Sequence, residues 1–255
     1  MAKARAPSRR PSGFGTTWFA APQVRAVVSE DFIPTFNLCF LGFGNVNRML
    51  VCLLGERAGE LRSRYGIEFR VTGIASRRLG WIAGAGGIAD EQLTPLLRPD
   101  AAAPHGQPGT AVHTREGTSA PHDVRQWLEA AQAHVLFEAT SLNVADGQPA
   151  VEHIRAALEH GAHAITANKG PIVHAYRDLR DLAAARGTRF LFESTVMDGV
   201  PIFSLFDQLP TIHLRGFHGI LNSTTNVILR EMEQGLSFDE ALAKAQSLGV
   251  AEADA

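Results

Sequence analysis

The sequence predicts an α/β protein built on a doubly wound parallel sheet, followed by the start of a smaller α+β domain. A short apolar run from Phe36 to Leu41 ends in glycines, and the apolar residues that follow recur at helical spacing. A second β-rich run at 68–75 comes after that helix. This order describes a βαβ crossover, whose strands pair in parallel.

The same alternation of strands and helices resumes near residue 134. Helix-like segments that end at Gly161 and Gly187 separate strand-like runs, AHVLFEATS, HAITANKGP and RFLFES. Further along, the rhythm changes: TIHLRGFHGIL predicts a longer strand, LNSTTNVILREME a turn into a helix, and SFDEALAKAQSLG a helix with a capping box at Ser237 and Glu240. We therefore predict a first domain at residues 36–195 and an incomplete second domain at 196–255.

Two segments differ from this pattern. Residues 1–35 carry several basic residues and no acid before Glu30, which predicts a disordered basic tail. Such a start is also typical of an organelle-targeting segment, although its first 18 residues contain two prolines and no clear amphipathic helix. Residues 80–122 are rich in Gly, Ala, Pro and Thr, and they predict an irregular excursion with at most short helices.

The amino-acid composition argues against some classes of binding partner. The 255 residues carry a formal net charge of −2, which argues against nucleic-acid binding and against an electrostatic membrane patch. No window approaches 18 consecutive apolar residues, so no membrane-spanning helix is expected. Cys39 and Cys52 both lie in apolar surroundings, which fits buried thiols in a reducing compartment. We therefore expect a cytoplasmic protein whose partners are small molecules.

The stretch GFGNVN, which begins at Gly42, lies where the first strand gives way to a helix. Gly42 allows a tight turn, and Gly44 lets the backbone approach a pyrophosphate at the helix N-terminus. Asn47 stands in place of the third glycine of the usual fingerprint, a position that serves helix–strand packing. The motif and its position predict a dinucleotide-binding domain.

The second strand ends in Ser76, Arg77 and Arg78 instead of the acid that usually binds the adenosine ribose. Guanidinium groups at this place suit a 2′-phosphate better than a free hydroxyl, which favours NADP over NAD. The alternative is a solvated basic turn, since arginines are common on protein surfaces.

Further polar residues follow later strands. Lys169, in TANKGP, comes at the C-terminal end of a strand, where ligands of open α/β sheets bind. A lysine there can hold a carbonyl oxygen as charge develops on it, or carry a proton. In ESTVMDGVP, Glu193, Thr195 and Asp198 offer oxygen ligands for a cation, although the spacing alone favours a plain hydrogen-bonded turn. Glu252, in the closing AEADA, would by itself indicate a frayed acidic terminus.

The stretches LGFGNVN, TANKGP, ESTVMDGVP, GILNSTTNVILREME and AEADA together resemble the homoserine dehydrogenase family, in that order and over residues 36–255. The resemblance implies a Rossmann-like, NAD(P)-dependent oxidoreductase that interconverts L-aspartate 4-semialdehyde and L-homoserine. This reaction belongs to amino-acid biosynthesis, on the route to threonine, methionine and isoleucine. Members of the family are usually homodimers that join a dinucleotide-binding domain to a substrate and dimerisation domain.

The resemblance also assigns roles to residues. The pyrophosphate would be held by backbone at Gly42, Gly44, Asn45 and Val46. Thr140 and Ser141 would lie along the cofactor, and Lys169 would face nicotinamide and substrate. Glu252 would bind the amino group of the substrate, and Asn222 and Thr224 would lie beside the substrate pocket. A monovalent cation would be bound by Glu193 together with the carbonyl groups of Val196, Asp198 and Val200.

The sequence departs from the family in two places. Family members continue past AEADA into a segment that bears a second catalytic lysine, and this chain stops before it. Met197 and Asp198 stand where the family commonly has small residues. The hypotheses are thus an NADP-preferring homoserine dehydrogenase in a shortened form, a non-catalytic NADP-binding or dimerisation module, and another amino-acid oxidoreductase on the same fold.

Overall fold

The computed structural model describes residues 33–98, 121–196, 200–209, 211–220 and 222–250. Its centre is a six-stranded sheet with the order β3-β2-β1-β4-β5-β6. The strands are β1 Thr35–Leu41, β2 Glu68–Ser76, β3 Gly80–Ala83, β4 Val135–Glu138, β5 His163–Thr166 and β6 Phe190–Leu191. The predicted basic tail falls almost entirely at residues 1–32, which lie outside the described residues.

The sheet is parallel except at one edge. β1 pairs in parallel with β2 and with β4, which confirms the predicted βαβ crossover. β4, β5 and β6 continue the parallel sheet on one side, whereas β3 runs antiparallel to β2 on the other. The expectation that residues 80–122 form an irregular excursion is therefore wrong at its start. A short turn after Ser76 folds β3 back on β2, and the backbone groups of the two strands pair in antiparallel register.

Strand β1 is buried on both faces of the sheet, as expected of a central parallel strand. Leu38 and Phe40 point into one apolar core, with Val51 of the first helix. Cys39 and Leu41 point into a second core on the opposite face. Because successive side chains of a strand alternate between faces, this one apolar run supplies both layers.

Helices cover both faces of the sheet. In the first unit they are α1 Asn45–Glu56, α2 Ala58–Tyr65, α3 Asp90–Leu96, α4 Val124–Ala130, α5 Ala150–His160 and α6 Lys169–Arg186. Gly161 and Gly187 end α5 and α6 in the left-handed conformation, as the sequence predicted. Helix α6 begins several residues before the expected start at His174, and Ala175 interrupts its helical dihedral angles. Lys169 is consequently the first residue of a helix.

The chain divides into two compact units, Met1–Ile202 and Phe203–Ala255. The described part of the second unit contains α7 Phe203–Asp207, α8 Ser223–Glu233 and α9 Phe238–Ser247. Helix α9 starts with the predicted capping box of Ser237 and Glu240. No helix among the described residues is long and apolar enough to cross a membrane.

The predicted strand TIHLRGFHGIL differs from the structure. Its described residues, 211–220, form no strand and are exposed to solvent. A strand is stable only when its backbone groups pair with a neighbour. The described residues of the second unit supply helices and no strand that could act as that neighbour. The segment therefore forms no strand, despite its β-like composition.

Candidate functional site

The glycine-rich turn lies between β1 and α1, where the strand order reverses. Gly42 has a φ of +80°, and an added Cβ atom there would come within 2.3 Å of the carbonyl oxygen of Ala139. Gly42 N–H donates to the carbonyl oxygen of Ala75 at 2.9 Å, so the turn is also fastened to the end of β2. Only glycine satisfies both the positive φ and the close approach to β4.

The N-terminus of α1 is open towards this turn. Gly44 is the N-cap residue, and it has no side chain that could cap the helix. A Cβ atom built on Gly44 would meet no atom within 4 Å. The first N–H groups of a helix, here those of Asn45, Val46 and Asn47, have no partner within the helix. Open space and free donors at the positive end of a helix dipole fit the pyrophosphate of a dinucleotide.

Asn47 holds the shape of this turn, a role that the sequence analysis missed. Its side chain is 2% exposed, and its amide nitrogen donates to the carbonyl oxygens of Leu41 and Gly42, both at 3.1 Å. A longer bond of 3.4 Å reaches the carbonyl oxygen of Phe137 on β4. Asparagine therefore replaces the third glycine of the fingerprint with a side chain that ties β1, the turn and β4 together.

The basic turn follows β2, and its two arginines are exposed. Ser76 Oγ accepts a hydrogen bond from Leu79 N–H at 3.1 Å, which closes the turn into β3. Arg77 and Arg78 are thus displayed at the carboxyl end of β2, next to the strand that leads into the glycine turn. This is the edge of the sheet at which the adenosine ribose binds in dinucleotide-binding folds.

A buried carboxylate occupies the end of β4. Glu138 is 1% exposed and accepts hydrogen bonds from Thr140 N–H at 2.8 Å, from the Thr140 hydroxyl group, and from Thr166 Oγ at 2.6 Å. In the sequence, Glu138 lies in what looks like an ordinary strand, AHVLFEATS. The signal that could have revealed it is a charged residue inside an otherwise apolar strand, since a fully buried carboxylate needs partners.

Asn168 completes the connection between β4 and β5. Its N–H donates to Thr166 Oγ at 2.9 Å, and its side-chain oxygen accepts from Gly170 N–H at 2.9 Å, which caps α6. Its amide nitrogen donates to the carbonyl oxygens of Thr140 at 3.2 Å and Ser141 at 3.3 Å. A single side chain therefore links the loop after β4 to the start of α6.

The structure thus brings most of the expected cofactor residues to one edge of the sheet. The glycine turn packs against Ala139, the loop with Thr140 and Ser141 continues from there, and Lys169 follows Asn168. Lys169 and Ser141 are exposed, whereas Thr140 is half-buried. This arrangement can bind an extended dinucleotide along the carboxyl ends of β1, β4 and β5.

The expected cation turn is only partly within the described residues. One carboxylate oxygen of Glu193 accepts a hydrogen bond from Ile202 N–H, and Val196 and Val200 are exposed. Asp198 lies outside the described residues. The described residues contain no group of three or more His, Cys, Asp or Glu side chains that could hold a metal ion.

The expected substrate residues belong to the second unit. Asn222 caps α8, because its side-chain oxygen accepts from Thr225 N–H at 2.8 Å. The Thr224 hydroxyl group donates to the carbonyl oxygen of Val250, just after α9. Glu252 lies outside the described residues, two positions beyond Val250. The polar stretch therefore holds the end of the described chain beside the start of α8.

Two protein-family models match this chain. A family described as "Homoserine dehydrogenase, NAD binding domain" matches residues 42–193, from the glycine turn to Glu193 at the start of the expected cation turn. A second, described as "Homoserine dehydrogenase", matches residues 201–255. The chain belongs to the homoserine dehydrogenase family. The resemblance noted in the sequence is confirmed, and so is the Rossmann-like fold of the sheet.

Homoserine dehydrogenase relatives match most of this chain. An NAD(+)-dependent homoserine dehydrogenase of Pseudomonas canavaninivorans is 36% identical over 220 residues, which are 86% of this chain and 60% of the relative. The homoserine dehydrogenase of Sulfurisphaera tokodaii is 37% identical and covers 85% of this chain and 61% of its own length. The chain therefore spans about three fifths of the length of these relatives.

Solved structures of homoserine dehydrogenases share the fold. A hyperthermophilic archaeal homoserine dehydrogenase mutant in complex with NADPH superimposes with a TM-score of 0.67 at 27% identity. It covers 86% of this chain, which corresponds to 63% of the archaeal chain. A homologue from Archaeoglobus fulgidus has a TM-score of 0.63 at 30% identity, with 86% and 62% of the two chains covered.

Proposed function

We propose that this protein is an NADP-preferring homoserine dehydrogenase that interconverts L-aspartate 4-semialdehyde and L-homoserine. The observation that carries the proposal is the open N-terminus of α1 beside Gly44, at the edge of the sheet that also presents Lys169. Membership of the family supports the reaction, since fold alone does not determine a substrate.

The positions of the chain's own residues support the roles that we propose for them. The free N–H groups of α1 bind the pyrophosphate, and the loop with Thr140 and Ser141 orients the rest of the cofactor. The nicotinamide supplies or accepts the hydride. Lys169, exposed at the first position of α6, places a positive charge where the substrate oxygen becomes alkoxide-like during hydride transfer to the aldehyde.

The preference for NADP rests on Arg77 and Arg78. Both are exposed at the end of β2, with no acidic residue between Ser76 and Leu79 that would bind a ribose hydroxyl group. Relatives carry both cofactors in their names: the enzyme of Pseudomonas canavaninivorans is NAD(+)-dependent, and the archaeal structures contain NADPH. The arginines of this chain favour the phosphorylated cofactor.

The remaining assignments concern the second unit, the cation turn and the assembly. We propose that Asn222, Thr224 and Glu252 contact the substrate, and that Glu193 with carbonyl groups of its turn binds a monovalent cation. We also propose a cytoplasmic homodimer. Light scattering of the purified chain tests the dimer, and substitution of choline for sodium and potassium ions in an activity assay tests the cation.

Cofactor binding and turnover test the central proposal separately. We would titrate the purified chain with NADPH and NADH by fluorescence, then add aspartate 4-semialdehyde and follow nicotinamide absorbance. Tighter binding of NADPH and its substrate-dependent oxidation are expected. The variant Lys169→Ala should abolish turnover and largely retain NADPH affinity, because the pyrophosphate contacts lie at α1.

Each alternative has its own outcome in this experiment. Binding of NADPH without oxidation of the cofactor would identify a dinucleotide-binding module that does not catalyse the reaction. Oxidation with a different amino-acid aldehyde would identify another oxidoreductase of the same fold. Absence of binding to either cofactor would contradict the proposed function as a whole.

A further inference from the structure

We propose that Glu138 is a positioning residue for the nicotinamide half of the cofactor site. It acts through Thr140, Thr166 and Asn168, whose bonds join the loop after β4 to the first turn of α6. The proposal deepens the proposed function and rests on it. No role for Glu138 follows from the dinucleotide fingerprint, which concerns the strand-to-helix turn at Gly42.

The burial of Glu138 indicates that its carboxylate serves this network. An ionised carboxylate accepts several hydrogen bonds and donates none. The described structure places donors on both oxygens: Thr140 N–H and its hydroxyl group on Oε1, and the Thr166 hydroxyl group on Oε2. A leucine at this position would fit the apolar strand and would need no such partners. We therefore attribute the presence of a glutamate here to the hydrogen bonds that it accepts from Thr140 and Thr166.

The network forms a closed ring across two strands. Thr166 Oγ donates to Glu138 and accepts from Asn168 N–H. Asn168 in turn donates its amide hydrogens to the carbonyl oxygens of Thr140 and Ser141. The hydroxyl group of Thr140 returns the ring to Glu138. Lys169 is the next residue after Asn168, so the ring orients the first turn of the helix that carries it.

Besides its contact with the loop at Ala139, the adenosine half of the site is held by groups outside this ring. The glycine turn is fastened to Ala75 and to Asn47, and Arg77 and Arg78 lie two strands away from β4 in the sheet. A change at Glu138 should therefore weaken ligands that contain nicotinamide and spare ligands that end at the adenosine phosphates. A merely structural defect would weaken both kinds of ligand.

The test compares two ligands on variants of the full chain. Calorimetry would measure the Kd of NADPH and the Kd of adenosine 2′,5′-bisphosphate, which lacks the nicotinamide. Glu138→Gln keeps the size of the side chain and replaces one acceptor by a donor that faces the Thr166 hydroxyl group. We expect its NADPH Kd to rise about tenfold or more and its bisphosphate Kd to stay within about twofold, since bonds to a charged group are the strong ones.

A matched pair at Thr166 supports the comparison. Thr166→Val removes the hydroxyl group and Thr166→Ser keeps it. The Val variant should show the same selective loss of NADPH affinity, and the Ser variant should keep the wild-type NADPH affinity. This pair also decides the matter if Glu138→Gln does not fold. Equal changes in the two Kd values, or no change in either, would overturn the positioning role while leaving the proposed function intact. A wild-type chain that binds neither NADPH nor NADH would overturn both.

Discussion

The side-chain amide of Asn47 donates to the carbonyl oxygen of Gly42 at 3.1 Å, which ties the glycine turn to helix α1. The same nitrogen reaches the carbonyl oxygen of Leu41, the last residue of β1. A glycine at position 47, as in the usual fingerprint, would leave these carbonyl oxygens with only their backbone donors, Ala139 N–H on Leu41 and Gly44 N–H on Gly42. The turn of this chain is therefore shaped by a side chain in addition to its glycines.

Replacement of Asn47 should weaken pyrophosphate binding. Asn47→Asp places an acceptor against two carbonyl oxygens, and Asn47→Gly removes the donor altogether. We expect ADP affinity to fall by roughly tenfold in the Gly variant, consistent with about 0.5–1.5 kcal/mol for each hydrogen bond lost, and further in the Asp variant, whose carboxylate faces carbonyl oxygens. Calorimetry with ADP measures the effect. An ADP affinity in Asn47→Asp equal to that of the wild type would show that the turn keeps its shape without the amide.

The exposed pair Arg77 and Arg78 should decide between NADP and NAD. In the double variant Arg77→Ala/Arg78→Ala, loss of charge-assisted hydrogen bonds to a 2′-phosphate should raise the Kd of NADPH by roughly ten- to a hundredfold. The Kd of NADH should remain nearly unchanged, because its ribose carries no such phosphate. Fluorescence titration at two ionic strengths measures both values. A parallel loss of both affinities would assign the arginines to general attraction of anions.

Gly73 should be intolerant of a side chain. A Cβ atom there would lie 2.7 Å from Cys39 Sγ and 2.8 Å from a ring carbon of Trp127, whose indole nitrogen is fixed to the carbonyl oxygen of Ile82 at 2.8 Å. Gly73→Ala should lower the free energy of unfolding by about 1–3 kcal/mol, the usual cost of overpacking a core.

The matched control for this substitution is Gly59→Ala. Gly59 lies in α2, and an added Cβ atom would meet nothing within 4 Å. This change should raise the free energy of unfolding by about 0.5–1 kcal/mol, since alanine is the better helix former. Urea denaturation of both variants measures the difference. Equal stabilities would mean that the core near Trp127 relaxes around a methyl group.

His153 should make stability depend on pH. Burial lowers the pKa of His153 from 6.5 to about 4, although the charge of Glu152 acts in the opposite direction. Its Nδ1 atom is buried and has no hydrogen-bond partner in the described part of the chain. Below pH 6.5 the unfolded chain binds a proton that the folded chain excludes. The free energy of unfolding should therefore fall as pH drops from about 6.5 to about 4, by roughly 3 kcal/mol at most.

The variant His153→Phe isolates this contribution. It removes the titrating group while filling the same space with an apolar ring, so its loss of stability over that pH window should be smaller than that of the wild type. His122→Gln, at an exposed histidine, serves as the control. Thermal unfolding at several pH values measures the slopes. A wild-type slope retained in His153→Phe would assign the acid sensitivity to other groups.

Local patterns in the sequence determined several elements of the first unit. The apolar run of β1, the glycine turn at Gly42 and the glycines that end α5 and α6 each act through neighbouring residues, so they could be recognised without the fold. The same holds for the capping box of α9. Side-chain periodicity and backbone conformation are properties of short segments, and a sequence displays them directly.

Contacts between distant segments were decided only by the tertiary structure. The antiparallel strand β3 and the unrealised strand at 211–220 depend on whether another strand is present to pair with them. The sequence shows that Glu138 and Asn47 are unusual at their positions but does not show what they hold, because hydrogen-bond partners of both lie on other elements of the sheet. The sequence predicted residues for the carboxyl edge of the sheet, whereas the polar network that holds the loops of this edge together arises only when β1, β4 and β5 become neighbours.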